Sequence, residues 1–366
     1  MPARTLLHVG TVKGLYTFES DGDRRQWKLH EPLLPEWEIS TLLMDPDDPD
    51  RLLTGTAHYA WGATLRGTED RGATWDQTAL RDPEDPPAYP IEKIWQIVRG
   101  PRSGSMYVGV AQGALYSSED DGASWSEVEG LTNHPSRPHW MPGAGGMCLH
   151  SIVIDPDDPD RMWIGISAVG CFRTTDGGES WTVQNEGLPP MRQTGSPDED
   201  AAFCVHRIVR DADSGSLFMQ FHAHTMTPDG ERSSGVFRSD DGETWRAIDG
   251  DLPLRFGFPM ALSGKRELFV MPLVGDGNRV FENGRVSAWR SQDAGGNWTR
   301  LDVPTDGPVY SGVLRDAMGL DGADPTGVYF GTTNGDVWAS PDAGDSWIRL
   351  PARLPRILSV RAHTYA

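Results

Sequence analysis

The sequence predicts an all-β fold: a seven-bladed β-propeller of four-stranded antiparallel blades. Three observations predict it. Tryptophans recur at near-regular intervals, a short turn motif precedes most of them, and short apolar runs fill the space between. The tryptophans are Trp27, Trp75, Trp125, Trp181, Trp245, Trp298 and Trp347, separated by 48, 50, 56, 64, 53 and 49 residues. A repeat of roughly 50 residues makes one supersecondary unit that cannot bury its own faces and must stack on neighbours.

Six of these tryptophans close a box of the form Ser/Thr-x-Asp-x-Gly-x-Ser/Thr-Trp. It is complete at residues 68–75, 118–125, 174–181 and 340–347. In the copy ending at Trp298, Asn297 takes the hydroxyl position. In the copy ending at Trp245, Ser239 stands one residue nearer to Asp240, the expected box aspartate. A short Asp side chain accepts hydrogen bonds from its own turn, Gly supplies a positive φ, and the hydroxyl ties the turn back. The rival reading, a calcium loop, lacks the bidentate Glu at its twelfth position. The box therefore reads as a hairpin fastener, with Trp filling the gap between blades.

Blade one opens with strands at 5–10, 14–18 and 27–30, which supply only a second, third and outer strand. Its inner strand is expected at 357–363, so that residues 1–30 and 356–366 share blade one of a single domain, 1–366. Such closure removes the open edges of a partial ring. Inner and second strands follow at 39–44 and 51–56 in blade two, and at 94–98 and 105–110 in blade three. Blade four shows the full pattern at 149–154, 161–167, 170–174 and 181–184. Blade five repeats it at 205–209 and 216–221, and blade seven at 310–314 and 327–332, whereas blade six is the least regular. Gly, Pro and Asp clusters separate the runs, as short antiparallel strands require.

Composition narrows the function. With 53 acidic against 33 basic residues the net charge is −20, so a phosphate backbone would meet a repulsive field and no nucleic-acid partner is expected. Two acidic phrases, Asp-Pro-Asp-Asp-Pro-Asp-Arg at 45–51 and 155–161, lie between strands and read as turns. No run of about 18 apolar residues is present, and the opening residues lack the basic and apolar pattern of a leader. Cys148, Cys171 and Cys204 are too few and odd in number for a disulfide framework. A soluble cytoplasmic protein with no membrane partner is the expectation.

The boxes, with the phrase Ile-Val-x-Asp-Pro-x-Asp-Pro followed by Arg, an aliphatic strand, Gly and an aromatic-Arg pair, resemble the Asp-box (BNR) repeats of the sialidase superfamily. The resemblance runs along essentially the whole chain. It implies a propeller whose boxes lie on the face opposite the functional one, as in sialidases, sortilin-type receptors, xyloglucan-active hydrolases and photosystem assembly factors. The chain departs from true sialidases in its blade count. Thr11, Val12, Lys13 and Gly14 stand where an Arg-Ile/Leu-Pro motif is expected, and the sialidase arginine triad does not map onto it. The phrase from Trp140 to His150 resembles an uncharacterised bacterial BNR-repeat, glycosyl-hydrolase-like subgroup, which implies no particular reaction.

The face opposite the boxes collects the unusual residues. The loop at 133–147 carries His134, Arg137, His139, Trp140 and a Gly-rich stretch, and that at 185–202 carries Met191 and Arg192. Each ends in Cys-x-His: Cys148 and His150, then Cys204 and His206. His222 and His224 end one second strand, and His58, with Tyr59 and Trp61, ends another. Imidazoles converging on an axis suit a transition metal, so His150, His206 and His222 are the expected ligands for zinc, copper, iron or manganese. A metal-bound water would support hydrolysis, and a redox metal oxidation. The bland alternative is that these histidines are hydrogen bonded and the cysteines fill narrow space between blades.

Glu38 and Glu92 precede inner strands and supply the paired carboxylates that glycoside hydrolysis needs. His58, Tyr59, Trp61, Trp95, Arg137, His139, Trp140 and His224 are the expected ligand-binding residues. The leading expectation is a small polar ligand held at the axial mouth through a histidine-bound metal. The alternatives are a metal-free glycoside hydrolase acting on a carbohydrate, sialidase-like, and a non-catalytic scaffold for a protein partner.

Overall fold

Short runs of Val, Ile, Leu and Phe, cut by Gly, Pro and Asp, fold as antiparallel strands because β-branched and aromatic side chains suit a pleated, half-buried surface. The computed structural model describes residues 3–81, 90–189, 203–223, 233–275 and 277–365. Among these, the strands form five four-stranded sheets and one eight-stranded sheet. The eight-stranded sheet is two four-stranded units joined by a single parallel bridge between Asp316 and Ser359.

The innermost strands are Glu38–Met44, Ile94–Arg99, Leu149–Ile154, Val205–Arg210, Gly257–Leu262, Val313–Leu320 and Ile357–Tyr365. Each packs on the next, and the last returns to the first. That cyclic order of twisted sheets is a β-propeller. Ile357–Tyr365 pairs with Arg4–Thr11 from Arg4↔Tyr365 to Thr11↔Ile357, so the two ends of the described chain share one sheet.

Two expectations need correction. The inner strand expected at 310–314 is Val313–Leu320, and Tyr310 lies outside it, 72% exposed. The sequence reading stopped where Arg315 and Asp316 begin, but the fold buries Asp316 inside the strand. The second concerns the worn box. Its acceptor is Asp241, not Asp240: Asp241 Oδ1 takes the Ser239 hydroxyl at 2.9 Å and the Glu243 and Thr244 N–H groups at 2.8 Å. The spacing Ser-x-Asp is kept and the shortening falls after the aspartate. Asp240 instead accepts from Ser216 and Arg238.

The regular boxes share one geometry. In the first, Thr74 donates from its N–H (2.8 Å) and hydroxyl (2.6 Å) to Asp70, Thr68 donates its hydroxyl to Asp70 (2.8 Å), and Gly72 N–H donates to Thr68 Oγ1. Asn297 reproduces the pattern through its side-chain amide, 2.6 Å from Asp293 Oδ2. The box carboxylates thus take donors from their own turn, as a fastener requires.

The box also wedges sheets together. Gly295 and Gly344 have φ of 93° and 94°, and a Cβ on either would stand 2.4 Å from Ile248 and Leu301, respectively, of the preceding sheet. Trp245 and Trp298 reach back the same way, donating from Nε1 to Gln184 O and Ile248 O at 2.9 Å. The apolar clusters span neighbouring sheets: Phe218, Val236 and Ile248 pack with Met260, Val270 and Trp298. Burying one such indole removes roughly 150–250 Å² from water, about 4–6 kcal/mol before the cost of ordering it.

Truncating the chain after Arg356 is expected to remove the pairing with Arg4–Thr11 and lower the melting temperature of the whole ring. Thermal unfolding followed by circular dichroism checks this, and wild-type melting of the truncated protein would refute it. Acid is the second test. Hydrogen bonds from the closing residue Thr74, Ser124, Ser180 or Asn297, and for Asp241 from the Thr244 N–H, hold the box carboxylates down at about 2. A depressed carboxylate adds stability that is full above the ordinary value, about pH 4, and is lost as the pH falls through about 2. The denaturation midpoint should therefore drop across that window, and less steeply in an Asp176→Asn/Asp241→Asn variant.

Candidate functional site

Every inner strand is irregular near its start. The ladder to the second strand skips Ser40, Trp95, His150 and His206, two residues at Phe258 and Pro259, and Leu358. In Val313–Leu320 the skip widens to the four residues between Val313 and Met318. A β-bulge leaves its extra residue unpaired and re-aims the side chain, a device common beside active sites. Here the bulges ring the axis: Ser40, Trp95, His150, Phe258, Leu314 and Leu358 all line one cleft of about 670 Å³.

The depth of the cleft is charged. Asp316 accepts from Arg361 (2.6 Å), Arg207 (3.0 Å) and Thr41 (2.9 Å), linking four inner strands across the axis. Burial alone would raise its pKa, but the guanidiniums of Arg361 and Arg207 overcome this and hold it below the usual carboxylate range. Arg315 stands beside it with no carboxylate partner among the described residues. Its Nη2 donates to Ser167 Oγ at 3.2 Å, and its guanidinium lies 4.8 Å from the Phe258 ring centre.

A second groove of about 520 Å³ shares Val12, Glu38, Lys93, Trp95 and Gly145 with the first. It brings the expected carboxylates together, since Glu38 and Glu92 both line it with His58 and Tyr59. Glu38 is ion-paired to Lys93 at 2.5 Å, whereas Glu92 is exposed. The Lys93 ammonium lies 4.7 Å from the centre of the half-buried Trp95 ring, whose Nε1 has no acceptor among the described residues. Tyr59 is 98% exposed and Trp61 76%, and the Trp61 ring stacks toward His58 at 6.4 Å. The Gly-rich turn contributes Ala144 and Gly145 to the first wall and Gly145 and Gly146 to the second.

Other expected residues fall elsewhere. Trp140 is 6% exposed, packs on Phe172 at 5.2 Å and donates to Ser136 Oγ, so its large apolar ring belongs to the core and not to the ligand site. Arg137 donates to the carbonyls of Gln112 (2.7 Å) and Gly113 (3.0 Å), fixing its loop to the adjacent hairpin. His139 is exposed on that loop. His224, Met191 and Arg192 lie outside the described residues.

The expected metal triad divides. His150 is buried with Nε2 2.9 Å from Ser167 Oγ; burial, reinforced by Arg315 and Arg207, pushes its pKa well below the ordinary imidazole value. His206 and His222 converge instead with Cys204, and His150 is not a member of that group. Bulging explains the split, because it places equivalent residues of successive strands against different neighbours around the ring. Sequence reasoning missed Arg207, Arg315 and Asp316. Their signal was three charges inside otherwise apolar strand patterns.

Five sheets of four strands, a double sheet that closes the ring and a polar axial mouth define a β-propeller with a cleft suited to small polar ligands. Comparison with known proteins points to the glycoside hydrolases of this architecture. A xyloglucanase of a Paenibacillus sp is 28% identical over 229 residues, covering 57% of this chain and 20% of the relative. A xyloglucanase of Hypocrea jecorina (strain QM6a) is 25% identical over 280 residues, 72% of this chain and 31% of the relative. Among solved structures, the GH74 xyloglucanase from Xanthomonas campestris aligns with a TM-score of 0.64 at 17% identity, over 98% of this chain and 52% of that one. This chain therefore spans only a fifth to a third of those two curated relatives, and the structural likeness establishes the propeller fold. No protein-family model matches the chain.

Replacing Asp316 with Ala would leave Arg207 and Arg361 buried without their shared carboxylate. Breaking a buried pair in this way costs about 3–5 kcal/mol. Chemical denaturation of Asp316→Ala should show that loss, and a change below about 1 kcal/mol would contradict the role assigned to it.

Proposed function

We propose that the chain is a single seven-bladed Asp-box propeller, residues 1–366, that binds a carbohydrate across its axial mouth and hydrolyses a glycosidic bond there without a metal. The blade count is supported by the cyclic contact of the innermost strands, and the repeat type by the six boxes. The observation that carries the function is the groove in which Glu38 and Glu92 stand with Tyr59 and Trp95.

Two carboxyl groups flanking a glycosidic bond supply the acid that protonates the leaving oxygen and the base or nucleophile that completes the displacement. Glu38, facing an ammonium at 2.5 Å, takes the base or nucleophile side, and Glu92, open to solvent, the acid side. Tyr59, Trp61 and Trp95 offer aromatic faces, and the Trp95 indole N–H offers a donor to a sugar hydroxyl. The curated relatives are named for xyloglucan, which makes its oligosaccharides the first substrates to try.

Glu38→Gln and Glu92→Gln are each expected to lower kcat on such oligosaccharides by about 10²–10⁴ with little change in KM, the range for a lost acid or base. Trp95→Ala should raise KM, and a chelator should leave turnover intact. Wild-type turnover in both glutamine variants would sink the assignment. Sugar-dependent thermal stabilisation without hydrolysis would reduce the function to glycan binding, and absence of both would leave a protein-binding ring.

A further inference from the structure

Outside the walls of both grooves, Cys204, His206 and His222 bring their ligand atoms within 4.8 Å of one another. Local structure sets this up. Cys204 directly precedes the strand Val205–Arg210, and His206 is the residue its bulge turns aside. His222 directly follows Leu217–Phe221, and its N–H donates to Cys204 O at 2.9 Å, which fixes the two strand ends against each other.

The His206 ring is oriented by the backbone. Its Nδ1 lies 2.6 Å from Gly257 O, and since a carbonyl only accepts, Nδ1 carries the proton. Nε2 then presents its lone pair toward Cys204 Sγ, 3.5 Å away. An imidazole that donates its second nitrogen to a carbonyl is the arrangement of metal-bound histidines. The surroundings are apolar: Phe258 lies 4.7 Å from the His206 ring and Phe256 4.9 Å from that of His222, centre to centre.

One thiolate and two imidazoles in a trigonal set suit a soft ion, and copper above all. Charge favours the monovalent state. Arg315 lies near enough to act electrostatically on both Cys204 and His206, and a fixed positive charge repels a dication more than a monocation. A thiolate neutralises a cuprous ion fully and a zinc ion only by half.

We propose that Cys204, His206 and His222 form a copper site, cuprous at rest, that clamps the end of Leu217–Phe221 to the start of Val205–Arg210. It is independent of the glycan reading, since none of its ligands lines either groove. The test uses the full chain, stripped with a chelator under reducing conditions. It is titrated with Cu(I) against a chromophoric competitor and, separately, with Co(II) as a spectroscopic probe.

One tight Cu(I) equivalent is expected, with a raised melting temperature and a thiolate-to-cobalt charge-transfer band. Cys204→Ser and His222→Ala should each weaken Cu(I) binding by more than the about 10–100-fold that loss of an outer partner costs, whereas His150→Ala should bind as wild type. Metal-free melting curves establish that each variant is folded, and His222, only half-buried, serves if Cys204→Ser does not fold. The proposal is overturned if the wild-type protein takes up no tight equivalent, or if the charge-transfer band persists in folded Cys204→Ser, which would assign it to Cys148 or Cys171. Unweakened binding in folded His222→Ala overturns it as well.

Discussion

The ring depends on a single buried carboxylate at its axis. Asp316 is reached by Arg361 from the neighbouring inner strand, and by Arg207 and Thr41 from strands further round. Each sheet is otherwise held only by the two beside it, through apolar side chains that interdigitate without direction. An ion network adds what those contacts lack, a fixed angle across the axis. It also makes the axis polar, so the space above it suits hydroxyls and charges better than hydrocarbon. The stability of the ring and the character of its cleft therefore come from the same atoms.

Each strand has an ordered end and an irregular one. At the box end, turn hydrogen bonds repeat almost unchanged from sheet to sheet, and the glycine and tryptophan press on the sheet before. At the other end every inner strand bulges, and the unpaired residue differs: Ser40, Trp95, His150, His206, Phe258, Leu314 or Leu358. A regular ladder would alternate these side chains into the gaps between sheets. Bulging instead turns most of them toward the axial cleft, where they vary without disturbing the packing. Chemistry is thus concentrated at the end where backbone pairing is weakest.

What the sequence made legible was whatever repeats. The boxes, the strand pattern and the return of residues 357–365 to the first sheet all follow from local chemistry and period-two alternation. The grouping of Glu38 with Glu92 was legible for the same reason, since both precede inner strands of adjacent sheets. Register was not legible. No local pattern announces that one residue per inner strand is skipped, and that skip decides why His150 meets Ser167 while His206 meets Cys204 and Gly257. Asp316 was hidden differently: a charge inside a strand looks like its end until partners on distant strands are known. Asp241 shows the limit of alignment, because a one-residue shortening moved the acceptor without altering the hydrogen-bond pattern.

The glycine wedge has a consequence for how such a chain diversifies. Turns seated against a neighbouring sheet leave no room to grow, so added length must enter at the opposite rim. The intervals between tryptophans, from 48 to 64 residues, record that asymmetry, since six boxes keep nearly one length while the segments between them do not. Evolution and protein engineering thus meet the same permission: one face is a fixed chassis, and the other is where foreign loops can be grafted.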